Sequence, residues 1–491
     1  MRRQRRDCSR VLIIVQNLPV PLDRRVWLEC LALRAAGYLV SVICPKGPGD
    51  PSYEALDGVH IYKYSPPRPA TGLWSYLWEF GYCWARTAAL SLRVWRRDGF
   101  GVIQACNPPD TYWALALLWR FLGVRFVYDQ HDLNPEVFRS RFGEPRGLSS
   151  RLQYAAIRWL ERRTFKTADQ IISTNESYRR VAIDRGECGP DLVTVVRSGP
   201  NTSRMRPLHP VDALREGRRH LLVYLGIMGP QDGVDVALHA LNILVHQHGR
   251  NDLHLALLGF GDCFDDLVAL SHQLDLDKYV TFTGRADRGM VATYLSTASV
   301  GLSPDPANPL NNVSTMNKTM EYMSLGVPVV AFDLLETRVS AGDTARYVDP
   351  EDGVEGFAGA IDELLQDPQL RIEMGVAGRQ RAQAHLDWTP QAERYVQVFD
   401  RLSGIVRPTT VRDGERRIRN QGPGASPWGP EYVDLREPGA LAKALSERVG
   451  ERLFEPPSET GTNFVQVPEP VDNGRTLAGG LSYRATCQAL I

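Results

Sequence analysis

The most constraining feature of the sequence is a repeated alternation between short, β-branched apolar runs and longer stretches with helical spacing. Residues 11–15 form such a run, residues 24–37 carry apolar side chains at helical spacing, and a second apolar run follows at 38–44. This order predicts a βαβ unit with buried parallel strands. The alternation continues to about residue 196 and restarts with HLLVYLG at residue 220. The sequence therefore predicts an α/β protein with two separate, doubly wound, Rossmann-like domains.

The length agrees with two domains, because a single hydrophobic core stops growing at about 250–300 residues and the chain has 491. We expect an N-terminal domain over residues 1–205, a second domain over 206–390 and a closing helix over 391–405. Residues 406–491 are rich in proline, glycine and arginine, and only the stretch EPGALAKALSERVGERLF has the spacing of a short amphipathic helix. We expect this region to be a largely disordered tail.

Composition excludes several classes of protein. Lys and Arg number 57, as do Asp and Glu, so the basic surplus that nucleic-acid binding requires is missing. The eight cysteines are scattered without metal-ligand spacing, which is typical of buried thiols in a reducing compartment. The apolar run after MRRQRR is shorter than the ~7–15 residues of a signal peptide, and no run approaches the ~20 residues of a membrane span. We therefore expect a cytoplasmic protein with no nucleic-acid partner.

The strongest candidate site is the segment NPLNNVSTMNKTMEYMSLGVPVVAFD. It runs from a strand end through a polar loop, in which Ser314 and Thr315 are candidate helix caps, into a helix with Lys318 and Glu321. The amides of a helix N-terminus bind anions, Lys318 is placed to reach a phosphate, and Glu321 is placed to accept hydrogen bonds from a ribose diol. The spacing alone fits an ordinary amphipathic helix with a solvated Lys and Glu equally well.

From about residue 11 to residue 400 the chain resembles a family 4 glycosyltransferase of the GT-B fold, in which two Rossmann-like domains face each other across a cleft. The segments that carry the resemblance are YDQHDLNPEVF, VYLGIMGPQDGVD, LLGFGD and STMNKTMEYMSLGVPVVAFD. The resemblance implies that a sugar moves from a nucleoside-diphosphate donor to an acceptor hydroxyl with retention of configuration, in cell-surface polysaccharide or glycoconjugate synthesis. It implies a nucleotide sugar as co-substrate, no other cofactor, no metal, and a glycan or lipid-linked acceptor.

The resemblance also assigns roles to residues. Glu321 corresponds to the glutamate that binds the nucleotide ribose, His131 to a histidine near the donor sugar, and Lys318 is expected to stabilise the leaving diphosphate; these three are the predicted catalytic residues. For His131 the alternative is a strand-end histidine that makes one backbone hydrogen bond. Arg24 and Arg25 follow the first strand and face either substrate or solvent. The predicted substrate-binding residues are Arg24, Asp132, Gly229, Gly233, Gly259, Gly261, Arg285, Asn311, Asn312, Ser314, Thr315 and Asn317.

The sequence departs from the family pattern at the first glutamate of the Glu-x(7)-Glu motif. Val313 stands at that position, eight residues before Glu321. Its hydrogen bonds to the donor sugar would then fall to other polar side chains of the same loop, for which the candidates are Asn311, Asn312 and Asp305.

A second departure concerns the cations that family members often place after the first strand of the second domain. Residues 227–232 contain neither Arg nor Lys, so the diphosphate charge would fall to Lys318, Arg285 and the amides of Gly229 and Gly233. Two alternative functions stay open: a nucleotide-sugar epimerase on the same fold, and a non-catalytic nucleotide-binding scaffold in a polysaccharide-assembly complex, which Val313 and the long tail suggest.

A long helical stretch in the first domain is both aromatic and basic. It spans residues 74–97 and contains four Trp and four Arg: Trp74, Trp78, Trp84, Trp95, Arg86, Arg93, Arg96 and Arg97. Aromatic residues at helical spacing usually pack in a core, whereas an aromatic and basic helix also suits the surface of a membrane. The second interpretation predicts peripheral contact with the inner face of the membrane.

Overall fold

The computed structural model describes residues 7–67, 73–406 and 431–449, without residues 436 and 438. The first sheet has eight strands: β1 (Arg10–Ile14), β2 (Leu39–Pro45), β3 (Tyr53–Leu56), β4 (Val59–Tyr64), β5 (Val102–Cys106), β6 (Arg125–Gln130), β7 (Gln170–Ser173) and β8 (Val193–Val195). Their spatial order is β3-β4-β2-β1-β5-β6-β7-β8, and only the β3–β4 pair is antiparallel. The strand order therefore switches direction between β1 and β5, where ligands of such sheets bind.

Six helices belong to the same half of the chain: α1 (Arg24–Ala35), α2 (Leu73–Arg97), α3 (Trp113–Arg120), α4 (Asn134–Phe142), α5 (Leu148–Thr167) and α6 (Glu176–Asp184). Strand β1 shows why the apolar run lies at the centre, since Val11 and Ile13 enter one core cluster and Leu12 and Ile14 enter another. Burial on both faces is the reason that the run is continuous rather than alternating. Helix α1 begins where Asp23 Oδ1 accepts a hydrogen bond from the amide of Val26, at 3.1 Å.

The second sheet has six parallel strands: β9 (His220–Ile227), β10 (Leu253–Phe260), β11 (Val280–Gly284), β12 (Val300–Ser303), β13 (Val329–Phe332) and β14 (Ala345–Val348). Their order, β11-β10-β9-β12-β13-β14, switches between β9 and β12. The remaining helices are α7 (Val234–Asn242), α8 (Phe264–Gln273), α9 (Arg288–Thr297), α10 (Asn317–Ser324), α11 (Leu335–Ala341), α12 (Gly353–Gln366), α13 (Pro368–Arg381), α14 (Trp388–Ser403) and α15 (Ala440–Val449). The two sheets confirm the predicted fold class of two doubly wound α/β domains.

Helix α14 crosses back from the second half of the chain onto the first sheet. Tyr395 donates a hydrogen bond to Gln104 Oε1 at 2.5 Å, and Asp400 Oδ1 accepts one from Tyr38 at 2.7 Å. Val398 and Phe399 are buried in the same core cluster as strand β1. The chain that follows the second domain therefore completes the core of the first.

The region predicted to be a disordered tail contains one ordered segment, residues 431–449 without 436 and 438. Tyr432 pairs with Leu208, Val433 donates its amide to Pro207 O at 3.0 Å, and helix α15 packs on α13. Helix α15 confirms the short amphipathic helix predicted for EPGALAKALSERVGERLF. The rest of the predicted tail lies outside the described residues.

Helix α2 uses its tryptophans in two ways. Trp95 packs in the core, with its ring 5.1 Å from Phe100 and 5.0 Å from Trp119, and Trp84 packs against the same cluster. Trp78, in contrast, is 71% exposed, and the side chain of Trp74 lies outside the described residues. Among the helices that the structure describes, every one is too short or too polar to cross a bilayer.

Candidate functional site

The second domain contributes a buried ion pair at the switch point of its sheet. Asp305 follows the carboxyl end of β12, and its Oδ1 lies 2.6 Å from the Nζ of Lys318 on helix α10. The second oxygen of Asp305 accepts a hydrogen bond from Ser303 at 2.7 Å, and Nζ lies 4.8 Å from the centre of the Tyr224 ring. Lys318 is thus held as a fixed positive charge beside the strand ends, where an anionic ligand would approach.

Glu321 lies one turn further along α10 and bridges the cleft. It forms an ion pair with Nη1 of Arg24, the first residue of helix α1. The side chain of Glu321 is 9% exposed and that of Arg24 is 36% exposed. Arg24 is therefore partly exposed, and its guanidinium contacts the carboxylate that is predicted to bind ribose.

Three of the predicted glycines allow the backbone at the ends of β9, β10 and β12 to approach closely. Gly233 has a φ of +65°, and a Cβ there would lie 2.1 Å from Pro304 O; at Gly259 it would lie 1.8 Å from Gly226 O. At Gly261 a Cβ would likewise meet the backbone of Met228. These three glycines allow close contact between backbone segments of the protein itself, which is a sufficient reason for their presence.

The amide of Gly229 is already bound. It donates to Asp232 Oδ2 at 2.9 Å, so it would have to exchange this bond to hold a diphosphate, and its role in diphosphate binding stays a prediction. Burial raises the pKa of Asp232 to about 6, although the charge of Lys318 opposes this. Arg285, the second predicted diphosphate cation, is exposed after β11 and stacks over the Phe260 ring at 4.8 Å.

The loop before α10 joins the two domains. Thr315 Oγ1 and the carbonyl of Val313 both accept hydrogen bonds from Asn175 Nδ2, at 3.0 and 2.8 Å, and Ser314 Oγ lies 3.0 Å from the hydroxyl of Tyr178. Asn175 and Tyr178 belong to the first domain, at the start of α6. The predicted capping of α10 by Ser314 and Thr315 is wrong: Met316 is the N-cap residue, and no side chain caps the helix. The two hydroxyls contact the other domain instead.

The three predicted asparagines of this loop have separate surroundings. Asn311 is buried and donates to Gln231 O at 2.8 Å and to Pro306 O at 2.9 Å. Asn312 accepts the amide of Leu335 at 3.0 Å, and Asn317 is exposed at the first residue of α10. Asn311 and Asn312 thus shape the loop with their side chains.

Val313, which stands at the position of the missing glutamate, is half-buried in an apolar cluster. The cluster consists of Leu133, Val137, Phe138, Tyr178 and Leu310, and thus combines residues from both domains. This position serves packing between the domains. Of the three side chains proposed to replace the glutamate, Asp305 is the one that contacts a predicted catalytic residue, Lys318.

The first domain contributes His131 at the carboxyl end of β6. Its amide donates to Asn107 Oδ1 at 2.6 Å, and its ring Nε2 lies 2.8 Å from Oδ2 of the buried Asp129. Although burial works in the opposite direction, the Asp129 carboxylate raises the pKa of His131. The ring is therefore oriented by a buried carboxylate as well as by the backbone bond. Asp132 is also held by Asn107, which accepts its amide at 3.1 Å and donates to its carbonyl at 2.8 Å.

The sequence indicates that Arg25 contacts either substrate or solvent. In the structure its side chain is instead part of a buried ion-pair network. Its side chain is 9% exposed; Nη2 lies 3.1 Å from Asp129 Oδ1, and Nε lies 3.0 Å from Glu29 Oε1 and 3.2 Å from His131 Nε2. Gln104 donates to both carboxylates at 2.8 Å. The Asp-x-His pattern at the end of β6 and the Arg25–Glu29 spacing of one helical turn are the signals that could have indicated this network.

The carboxylates of this network have opposite protonation behaviour. Burial, followed by the charge of Asp129, raises the pKa of Glu29 to about 8, whereas Arg25 and His131 overcome burial and lower the pKa of Asp129. Ligand atoms of Glu29, Cys106, Asp129 and His131 lie within 4.8 Å of one another, as a metal site would require. The guanidinium of Arg25 supplies the positive charge among them, so the group is built as an ion-pair network.

Two family models match the chain, and each covers most of one of the two sheets. Residues 22–199 match the model described as a glycosyl transferase 4-like domain, and residues 219–367 match the model described as glycosyl transferases group 1. Together the two models span about two thirds of the chain.

Relatives and solved structures match the chain across both halves. The chain is 28% identical to a glycogen synthase from Mycobacterium tuberculosis (strain CDC 1551 / Oshkosh) over 402 residues, which is 77% of this chain and 90% of that protein. The sucrose-phosphate synthase from Thermosynechococcus elongatus has a TM-score of 0.65 at 19% identity, over 81% of this chain and all of that chain. Anabaena Alr3699/HepE, solved in complex with UDP-glucose, has a TM-score of 0.58 at 14% identity, over 80% and 99% of the two chains.

The order of the sheets, the cleft residues and both matching family models lead to the same assignment. The chain belongs to the group 1, or family 4, glycosyltransferases, and it is a glycosyltransferase with the GT-B fold.

Proposed function

We propose that the protein transfers a sugar from a nucleoside-diphosphate donor to an acceptor hydroxyl with retention of anomeric configuration. The observation that carries the proposal is the link that two consecutive residues of helix α1 make across the cleft. Arg24 pairs with Glu321 of the second domain, and Arg25 lies 3.2 Å from the ring of His131 in the first. The predicted ribose-binding and sugar-binding residues therefore line one site between the domains.

Each predicted catalytic residue has a chemical role in this proposal. Glu321 accepts hydrogen bonds from the ribose diol, and Lys318 stabilises the diphosphate as it leaves, a role that requires Nζ to exchange part of its contact with Asp305. His131, oriented by Asp129, positions the donor sugar. The leaving phosphate takes the proton of the acceptor hydroxyl, so a separate general base is not required. The binding of UDP-glucose by a protein of the same fold supports a nucleotide sugar as the donor.

The acceptor side of the proposal rests on helix α2. Its exposed residues include Trp78 and Leu92 together with Arg86, Arg93 and Arg96. An exposed face that combines apolar and basic side chains suits anionic lipid at a membrane surface. We therefore extend the proposal to a lipid-linked acceptor in cell-surface polysaccharide or glycoconjugate synthesis, reached from the inner face of the membrane.

The test begins with the full-length protein and a panel of UDP, GDP and ADP sugars. Thermal melting identifies the base, because a ligand at about 100 times its Kd raises the Tm by roughly 2–4 °C. The selected donor is then incubated with lipid extract as acceptor, and the anomeric configuration of the product is read by NMR. Conversion of the donor without acceptor would favour an epimerase, and nucleotide binding without turnover on any acceptor would favour a scaffold. An inverted product would contradict retention.

A further inference from the structure

A second cluster of polar side chains lies at the opposite edge of the second sheet, away from the cleft. A small cavity there is bounded by the residues before β12 and β13, namely Ser299 and Pro328, by Arg371 of α13 and by Arg448 of α15. Its empty volume, including the open mouth, is about 220 Å³, and its inner part has room for about one water-sized group. The cavity is therefore closed on one side by the ordered segment of the tail.

The polar atoms of this cavity are not satisfied by the residues that the structure describes. Ser299, Arg371 and Arg448 are 3%, 2% and 2% exposed. Within the described residues, Nε and Nη2 of Arg371, Nε of Arg448 and Oγ of Ser299 have no hydrogen-bond partner. Buried donors without partners cost free energy, about 1–3 kcal/mol for each neutral group and more for a charged one. Three buried side chains with unpartnered polar atoms therefore line one cavity.

The charges around the cavity are also unbalanced. Arg448 uses its other nitrogens on the carbonyls of Leu325 and Gly326, at 2.8 and 3.4 Å, and its own carbonyl accepts from Arg215 at 2.8 Å. Arg379, also buried, donates to the carbonyl of Ser324. Burial and the neighbouring Arg379 and Arg215 lower the pKa of Arg448 to about 9, and burial with nearby arginines lowers the pKa of Arg371 to about 10.

The acids near this cluster have other partners. Asp252 is held by Arg250 at 2.9 Å and lies 3.6 Å from the ring of His220, and Asp367 accepts the amide of Leu370 at 2.9 Å at the start of α13. Asp212 is exposed and lies 3.6 Å from Arg215. The residues that line the cavity include no carboxylate. Arg25 differs in this respect, because it forms an ion pair with the carboxylate of Asp129.

We propose that this cavity binds a small inorganic anion of the size of a halide. The ion accepts hydrogen bonds from the guanidinium groups of Arg371 and Arg448 and from the hydroxyl of Ser299, and it balances the charge of two arginines that form no ion pair with any described side chain. The inner cavity excludes a nucleotide or a sugar by size. Since Arg448 comes from α15, the bound anion stabilises the docked tail segment on α13.

The site is connected to the helix of the catalytic cleft. Leu325 and Gly326, whose carbonyls accept from Arg448, are the two residues that follow α10, the helix of Lys318 and Glu321. Cations at a helix C-terminus stabilise the helix through its dipole. The bound anion balances the buried charge of Arg448, and it therefore supports the far end of the helix that faces the donor.

The first experiment compares the Tm of the full chain in sodium chloride and in sodium gluconate at equal ionic strength. We expect chloride to raise the Tm by about 2–4 °C with saturation, because the larger gluconate is excluded. Arg371→Met should melt at the same temperature in both salts, whereas Arg346→Met, which alters an exposed arginine paired with Glu363, should keep the chloride effect. Equal Tm values of the wild type in the two salts would overturn the proposal.

Crystals of the wild-type full chain soaked in sodium bromide give an independent result that does not require any variant to fold. We expect an anomalous peak within hydrogen-bond distance of Arg371, Arg448 and Ser299. An ordered water, or a carboxylate from residues 450–491, at this place would overturn the proposal.

Discussion

Glu321 on helix α10 forms an ion pair with Arg24 on helix α1, and this pair connects the two domains directly across the cleft. The same carboxylate is the group predicted to hold the ribose of the donor. Arg24 is one-third exposed and has a long, flexible side chain, so it can turn away or share Glu321 when a nucleotide enters. A ribose that binds to this carboxylate would therefore compete with Arg24.

Replacement of Glu321 by glutamine should weaken the binding of the cognate nucleoside diphosphate by roughly 10- to 150-fold, because a hydrogen bond to a charged group contributes about 1.5–3 kcal/mol. Isothermal titration calorimetry measures the effect. Glu363→Gln, which alters an exposed glutamate paired with Arg346, is the matched control and should bind as the wild type does. Unchanged affinity in Glu321→Gln would show that the ribose lies elsewhere.

His131→Ala should reduce kcat by about 100- to 1,000-fold, the range seen when one oriented polar group at a reaction centre is removed. The Kd of the nucleoside diphosphate should stay within about twofold, because the proposal places His131 at the sugar and not at the base or ribose. Steady-state kinetics and calorimetry separate the two effects. His272→Ala, which alters an exposed histidine on α8, is the control. If His131→Ala kept the wild-type kcat, His131 would have no role in the transfer reaction.

Glu29 gives a prediction on stability against pH. Its pKa is raised from the ordinary 4.5 to about 8 by burial and by Asp129. Between these two pH values the folded protein keeps a proton that the unfolded chain has lost, so this group lowers the free energy of unfolding as pH rises. Glu29→Gln removes that dependence. The Tm of the variant minus that of the wild type should therefore increase from pH 5 to pH 8.5.

Glutamine suits this position because it is uncharged, as the protonated glutamate is, and its side-chain oxygen can still accept the hydrogen bond from Gln104. Differential scanning calorimetry at several pH values measures the change, and Glu355→Gln on the exposed face of α12 is the control. A Tm difference that is constant with pH would mean that Glu29 is ionised in the folded protein.

The sheets could be predicted from sequence because a strand buried on both faces has a local signature, a continuous apolar run such as that of β1. Lys318 and Glu321 could be proposed as ligands for a similar reason, since both lie on one helix that follows a strand end. The hydrogen bond between Gly229 and Asp232 is also local, because the two residues are three positions apart. An Asp at this spacing is typical of a turn, so this contact could be predicted from the sequence as well.

Contacts between distant parts of the chain could not be predicted in this way. Asn175 and Thr315 are separated by 140 residues, and the spacing around each of them contains no information about the other. The same holds for Arg25 and Asp129, 104 residues apart. Local patterns predict which residues end strands and begin helices, but the partners of these residues depend on how the two domains face each other.

Val313 gives the last prediction. Restoring the family glutamate with Val313→Glu should lower the Tm by several °C and should not raise turnover, because the side chain at this position packs in an apolar cluster between the domains, and an unpaired carboxylate is costly there. Val313→Ala removes only part of this packing and should lower the Tm less. Thermal melting and the transferase assay measure both variants. Higher turnover of Val313→Glu at an unchanged Tm would contradict this prediction, because the new carboxylate would then have to reach the donor sugar. In that case Asp305, which contacts Lys318, would not replace the missing glutamate.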